Sequence, residues 1–300
     1  MSRRPLHRAA DACRRFALAP ASPRPTAALR LGLAVVLLVQ AAQTAPSLVE
    51  LYGDGGLLAG PLREALGAAT PLSVRRFAEI LAPIGAREAH VIAGAGGVYV
   101  AALIALLLGH RARAAAFVAW LAHAVLMNGA PGATYGADEL ANVGLFYLVW
   151  MPCGGALSLD RRRGRATAAA TPAARIALRV LQIHLCIVSA SSGVGKACGE
   201  AWWNGEAIWR ALMLPEYRGL DFSFLAAHPW LAAIVGWAVL VVEIGYPVLV
   251  WPKRTRRLWV SVTAALHLSI AIFMGLATFS AVMIVLTVAA FGVRADPEKS

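Results

Sequence analysis

Charge is scarce in this sequence: of 300 residues only 15% are Asp, Glu, Lys or Arg, while 59% are apolar. That balance excludes an ordinary soluble domain, a disordered chain and a fibrous repeat. Cysteine is scarce too. Cys13, Cys153, Cys186 and Cys198 form no short-spaced pair, so neither a disulfide scaffold nor a metal site is indicated. There is no internal repeat and no heptad pattern. Acidic residues are outnumbered, 16 against 28 Lys and Arg. In a soluble chain that surplus points to nucleic acid; here the basic residues fall between apolar runs, and nucleic-acid binding is not expected.

What is abundant is apolar length. A bilayer core of roughly 30 Å takes about 20 apolar residues as a helix, and runs of that kind fill most of the chain. Spans are predicted near 28–45, 89–108, 114–128, 139–158, 176–196, 230–250, 258–275 and 277–293. The last two form one apolar stretch too long for a single crossing, and Met274-Gly275-Leu276 is the place to turn. The expectation is an all-α integral membrane protein, a bundle of about eight transmembrane helices in the plasma (inner) membrane.

The basic residues test that count, because cytoplasmic loops collect them. With a cytoplasmic N-terminus, 20 Lys and Arg fall in inside segments and 7 in outside segments, with Arg179 inside a span. The asymmetry supports eight passes with both termini cytoplasmic. Trp150, Trp251 and Trp259 then fall at inner boundaries, and Trp202, Trp203, Trp209 and Trp230 at outer ones, where indoles favour the interface.

Three regions follow: a disordered basic tail over 1–27 beside anionic head groups, a transmembrane domain over 28–293, and a short cytoplasmic tail over 294–300. Residues 42–45, Ala-Gln-Thr-Ala, would serve as a cleavage site in the competing reading of the first run as a signal peptide. That run has full spanning length, which favours its retention. Two outer segments are long. Residues 46–88 hold the turn-rich Tyr52-Gly53-Asp54-Gly55-Gly56-Leu57-Leu58 and an interfacial helix from Ser73 to Leu81 stopped by Pro83. Residues 197–229 hold Trp202-Trp203-Asn204-Gly205-Glu206-Ala207 and Leu214-Pro215-Glu216-Tyr217.

Polar groups inside spans are costly and mark function by default. They are His123, His184, Glu243 and His267, with Lys196 closing the fifth span at its outer end. Ser189, Ser192 and Lys196 recur at three and four residues and share one helix face. His184 lies about 80° further round, within reach of that stripe. Such a stripe should face protein or water. Each member also has a plainer reading: a histidine bonding a neighbouring carbonyl, a lysine snorkelling to the interface, Trp202 and Trp203 anchoring there, Cys198 simply packing. Glu243, four residues before Pro247, is expected to bond backbone groups that the proline frees.

Gln182-Ile183-His184 through Gly193-Val194-Gly195-Lys196, followed by Trp202-Trp203-Asn204-Gly205-Glu206-Ala207, resembles the signature of the HTTM family, bacterial relatives of vitamin K-dependent gamma-carboxylase. Tyr52-Gly53-Asp54-Gly55-Gly56, Tyr135-Gly136-Ala137-Asp138-Glu139-Leu140, Ser158-Leu159-Asp160, and His267 through Phe273-Met274-Gly275 to Phe279-Ser280 fall in the family's order. The resemblance covers roughly residues 28–293.

The resemblance implies that Lys196 is a base acting on a reduced quinone such as vitamin K hydroquinone, in a carboxylase-like, lyase-type membrane enzyme. His267 would stabilise a developing oxyanion, while Trp202, Trp203, Glu206, His184 and Ser192 would line the substrate site. A model ammonium has a pKa of about 10.4, so desolvation must overcome the helix dipole for such a base to form. The sequence departs from the pattern at Ser189, where tyrosine is usual, and lacks a histidine just before Tyr135. It ends at Ser300, without the carboxylase's large C-terminal lumenal portion. A quinol-handling membrane core, or a base acting on an exported peptide, is therefore expected in place of protein gamma-carboxylation. The other functional class is a non-catalytic partner in maturation or export of a secreted peptide, resembling the sporulation-delaying protein B branch. Membrane lipid and a secreted peptide or partner protein are the expected partners.

Overall fold

The structure is a computed structural model that describes residues 3–52, 72–129, 134–215 and 220–295. Among these residues the regular structure is helical and no strand forms; a single isolated bridge joins Ala21 and Thr171. Among the described residues five helices are long and apolar enough to cross a bilayer: Arg24–Leu48, Glu88–Leu108, Pro172–Ala197, Pro229–Leu249 and Lys253–Met274. At about 1.5 Å per residue, a 21-residue helix reaches about 32 Å, a full hydrocarbon core. Ala112–Asn128 and Ala277–Gly292 are shorter apolar helices. The protein is thus a multi-pass membrane protein. Val35, Ile104, Ile187, Val241, Val248 and Ile272 stay exposed on these helices, as side chains covered by lipid should be.

The chain forms two compact units, residues 1–177 with 295–300, and residues 178–294. The first begins with α1 (Arg3–Leu18), within the region expected as a basic tail, and continues with α2 (Arg24–Tyr52). The interfacial helix α3 (Val74–Leu81) starts at Ser73, whose hydroxyl accepts from the Arg76 N–H at 3.3 Å, and stops at a short turn over Ala82–Ile84 that contains Pro83. Then come α4 (Glu88–Leu108), α5 (Ala112–Gly129), α6 (Gly136–Trp150) and the single turn α7 (Leu159–Arg162). Helix α4 packs on α2 and α5, and α6 packs on α5 and α2. Leu33, Leu37, Leu103, Leu106, Leu145 and Leu148 form the fully buried centre.

The fourth predicted span, 139–158, is corrected here. Its helix ends at Trp150, and residues 151–158 leave the helical path, because Pro152 has no N–H to continue the ladder. That irregular backbone survives because Arg30, fully buried on α2, satisfies it. Arg30 Nε donates to Cys153 O at 3.0 Å, and Nη2 donates to Leu157 O at 2.6 Å and Ala156 O at 3.3 Å. Nη1 donates to Leu106 O at 2.5 Å and Leu107 O at 2.7 Å, two carbonyls of the C-terminal turn of α4. Nearby, the Asp160 carboxylate accepts the N–H groups of Arg111 (2.8 Å) and Ala112 (2.7 Å), capping α5 where the helix dipole favours an anion.

The second unit takes up α8 (Pro172–Ala197) from Leu178 onward, then α9 (Glu200–Trp203), α10 (Glu206–Met213), α11 (Pro229–Leu249), α12 (Lys253–Met274) and α13 (Ala277–Thr287). Helices α9 and α10 lie along α11, α11 packs on α12, and α12 on α13. The turn predicted at Met274-Gly275-Leu276 is present. Gly275, at φ +70°, adopts the left-handed conformation that lets the chain reverse between α12 and α13. The turn-rich stretch from Gly53 to Leu58, and Glu216 with Tyr217, lie outside the described residues.

Candidate functional site

The polar stripe of α8 faces protein. Ser189 Oγ donates to the backbone carbonyl of Glu243 at 3.0 Å, and Lys196 Nζ donates to Ser192 Oγ at 2.7 Å and to the Glu243 carboxylate at 2.5 and 2.7 Å. The two helices meet at Gly193. A methyl group there would lie 2.8 Å from Ile244 Cγ1 and 3.0 Å from Glu243 Cβ, so only glycine permits this approach. Spacing on α8 selected the three polar residues, and the missing side chain at Gly193 lets their face reach α11.

Glu243 is the residue that sequence reasoning misassigned. Expected to bond backbone loosened by Pro247, it instead holds Lys196 with both carboxylate oxygens. The available signal was charge balance: an acidic side chain deep in one span and a lysine on the inward face of another belong together. Both are substantially shielded, with 24% of the lysine side chain and 16% of the glutamate exposed. The pairing also sets depth. Glu243 lies 14 residues into α11, about 21 Å from its start at Pro229, so the amine lies level with the interior of that helix. The C-terminus of α8 therefore stops alongside the second half of α11, and α9 and α10 flank the preceding part of that helix, with Trp202 O close against Gly236.

Two more predicted residues join the pair. The Lys196 ammonium lies 5.2 Å from the ring centroid of Trp202, a cation–π contact worth about 0.5–2 kcal/mol. His267 on α12 is buried, within electrostatic reach of Lys196, and edge-on to Phe279 at 5.8 Å. Its Nδ1 is buried without a hydrogen-bond partner among the described residues. A buried polar atom without a hydrogen-bond partner is costly and needs a ligand or water to explain it. Thr263, one turn before His267 on α12, also buries an unpartnered hydroxyl.

The remaining predicted residues lie elsewhere. Trp203 Nε1 donates to Ala197 O at 2.8 Å, closing the end of α8, while its own carbonyl accepts from Trp237 Nε1 at 2.9 Å. Glu206 pairs with Arg210 at 2.5 Å on the exposed face of α10. His184 is twelve residues before Lys196 on the same helix, about 18 Å away along the axis. Ser192, Lys196, Glu243 and Trp202 thus form the cluster, with His267 within electrostatic reach of the amine. It joins an ammonium, a carboxylate, a hydroxyl and an indole face, set among apolar helices, with an imidazole nearby whose Nδ1 has no hydrogen-bond partner among the described residues. Such a group can accept a proton from, or hold an anion on, a molecule that arrives through lipid.

The first unit has a polar cluster of its own. Asp138 accepts from Gln40 Nε2 at 2.7 Å and from the Tyr135 N–H at 3.1 Å, and its Oδ1 lies 4.0 Å from Nε2 of the buried His123. His123, expected to satisfy a carbonyl, therefore faces a carboxylate that also caps α6. Among the described residues no group of three His, Cys, Asp or Glu is arranged to hold a metal ion.

A family model described as HTTM domain matches residues 80–293 of the chain. No curated protein and no solved structure matches it.

Proposed function

The chain belongs to the HTTM domain family, and from that premise we propose that it is a plasma-membrane enzyme whose Lys196 takes a proton from a lipid-soluble quinol or an exported peptide. The observation that carries this reading is the ammonium held by Ser192 and both oxygens of Glu243 amid apolar helices. As an ion pair, Lys196 has no lone pair with which to act. The adjacent carboxylate supplies the remedy. Transfer of one proton from Nζ to Glu243 yields a neutral amine beside a neutral acid, and neither product carries a buried charge. The amine then accepts the substrate proton. The pair has gone from zero net charge to one positive charge, matched by the anion left on the substrate.

His267 and Trp202 complete the site. The unpartnered Nδ1 of His267 fits a substrate hydroxyl or the oxyanion formed from it, so the residues present suit a hydroquinone such as that of vitamin K. The indole of Trp202 shields the ammonium from water. For topology we propose eight passes with both termini cytoplasmic, which the 20-to-7 distribution of basic residues supports.

The test is consumption of vitamin K hydroquinone by proteoliposomes, run alongside release of the mature peptide from cells carrying any secreted peptide encoded beside the protein. Lys196→Ala should abolish one of the two. Full retention of both would rule out the base and leave a non-catalytic partner role in peptide maturation.

A further inference from the structure

We propose that the end of the first unit where α4 meets α7 is a binding site for an anionic phospholipid. A cavity of about 490 Å³ opens there, lined by Leu107, Leu108, Leu157, Ser158, Leu159, Arg161 and Arg162. Its lining is of two kinds. Four leucines contribute to it, with Leu108 and Leu157 52% and 73% exposed, and so do two arginines. Neither the Arg161 nor the Arg162 side chain has a hydrogen bond or ion pair among the described residues. Two uncommitted arginines beside exposed leucines match a molecule with an anionic head and an apolar tail.

Three further features support this occupant. The cavity lies at the last turn of a helix long enough to cross the membrane, the level at which acyl chains give way to head groups. The backbone at Leu157 is held at φ +48°, which is strained for a branched side chain, and Arg30 fixes it there by donating to its carbonyl at 2.6 Å. That strain keeps an apolar side chain outside, where protein does not cover it. The neighbouring acid, Asp160, is already engaged: it spends both oxygens on the N–H groups of Arg111 and Ala112 and faces the Arg30 guanidinium. The surrounding field remains cationic, with Arg111, Arg113, Arg163 and Arg165 nearby in sequence. A soluble polyanion would use the arginines and leave the leucines idle, so the lipid is the better fit.

The test is native mass spectrometry of the full chain in detergent, titrated with phosphatidylglycerol or phosphatidylcholine. One equivalent of phosphatidylglycerol should bind in preference to phosphatidylcholine, and excess glycerol 1-phosphate should not displace it. With each basic group near a membrane surface worth about a fivefold change in affinity, the double variant Arg161→Ala/Arg162→Ala should weaken binding about thirtyfold. Arg254→Ala/Arg257→Ala, an equal charge loss in the second unit, should leave binding unchanged. Leu157→Ser, which keeps both arginines, should also weaken it. Equal affinity for the two lipids, displacement by glycerol 1-phosphate, or equal losses in the two arginine double variants would overturn the proposal. All these substitutions are at exposed residues, so thermal stability should stay near wild type and any lost binding is then read as lost contact.

Discussion

Removing the Arg30 guanidinium should do more damage than any other single change in the first unit. In Arg30→Met the stem volume is kept, but five hydrogen bonds disappear. Leu106 O keeps another partner, the Gly109 N–H at 3.0 Å. The carbonyls of Leu107, Cys153, Ala156 and Leu157 accept only from Arg30 among the described residues. With the two buried acceptors, of Cys153 and Ala156, at about 1–3 kcal/mol each and the two part-buried ones at about 1 kcal/mol each, the loss is about 4–8 kcal/mol. Relief of the arginine's own desolvation offsets several kcal/mol of this, so a net loss of about 3–5 kcal/mol is expected. That is a large part of a typical stability of about 5–15 kcal/mol. At about 2–4 °C per kcal/mol, the midpoint for unfolding in detergent, followed by tryptophan fluorescence, should fall by about 10 °C. Arg30→Lys should rescue little of it, since one ammonium cannot span carbonyls from two segments. A shift below about 2 °C in Arg30→Met would refute the argument that this side chain holds residues 151–158 to α4.

Other consequences are tested the same way. Lys196→Met and Glu243→Met should each destabilise by about 3–5 kcal/mol because the remaining charge is unpaired, and the double variant should be closer to wild type than either; additive losses would contradict the pairing. Gly193→Val should force α8 away from Ile244 and Glu243, abolishing turnover with an intact fold, whereas Gly195→Ala, with open space around it, should be silent in both measurements. Asp160→Ala should cost about 1–2 kcal/mol through loss of the cap on α5, read as earlier unfolding, and no change would mean that the cap is redundant.

Sequence reasoning succeeded where the determinants are local. Ser73 and Pro83 bound a helix because a hydroxyl cap and a missing N–H act within a few residues, and Gly275 divides a long apolar run for the same reason. The stripe of Ser189, Ser192 and Lys196 was legible because helical periodicity fixes which residues share a face. What that face meets depends on where α8 crosses α11, and a pairing across 47 residues carries no local signal beyond two opposite charges. Trp202 and Trp203 show the same limit. Adjacent residues on a helix point about 100° apart, and only the docked position of α9 decides that the first meets the amine while the second closes α8. The role of Arg30 has no local signal, because nothing near it in the sequence reveals that residues 151–158 lack helical bonds and need its donors.

The most direct test of the central claim is hydroquinone turnover by Lys196→Arg. Arginine preserves the charge and can still pair with Glu243, yet it does not lose its proton in proteins. If Lys196 is the base, turnover should fall by at least about 100-fold while thermal stability stays near wild type. Turnover close to wild type in that variant would mean that a fixed positive charge suffices and that Lys196 never gives up its proton.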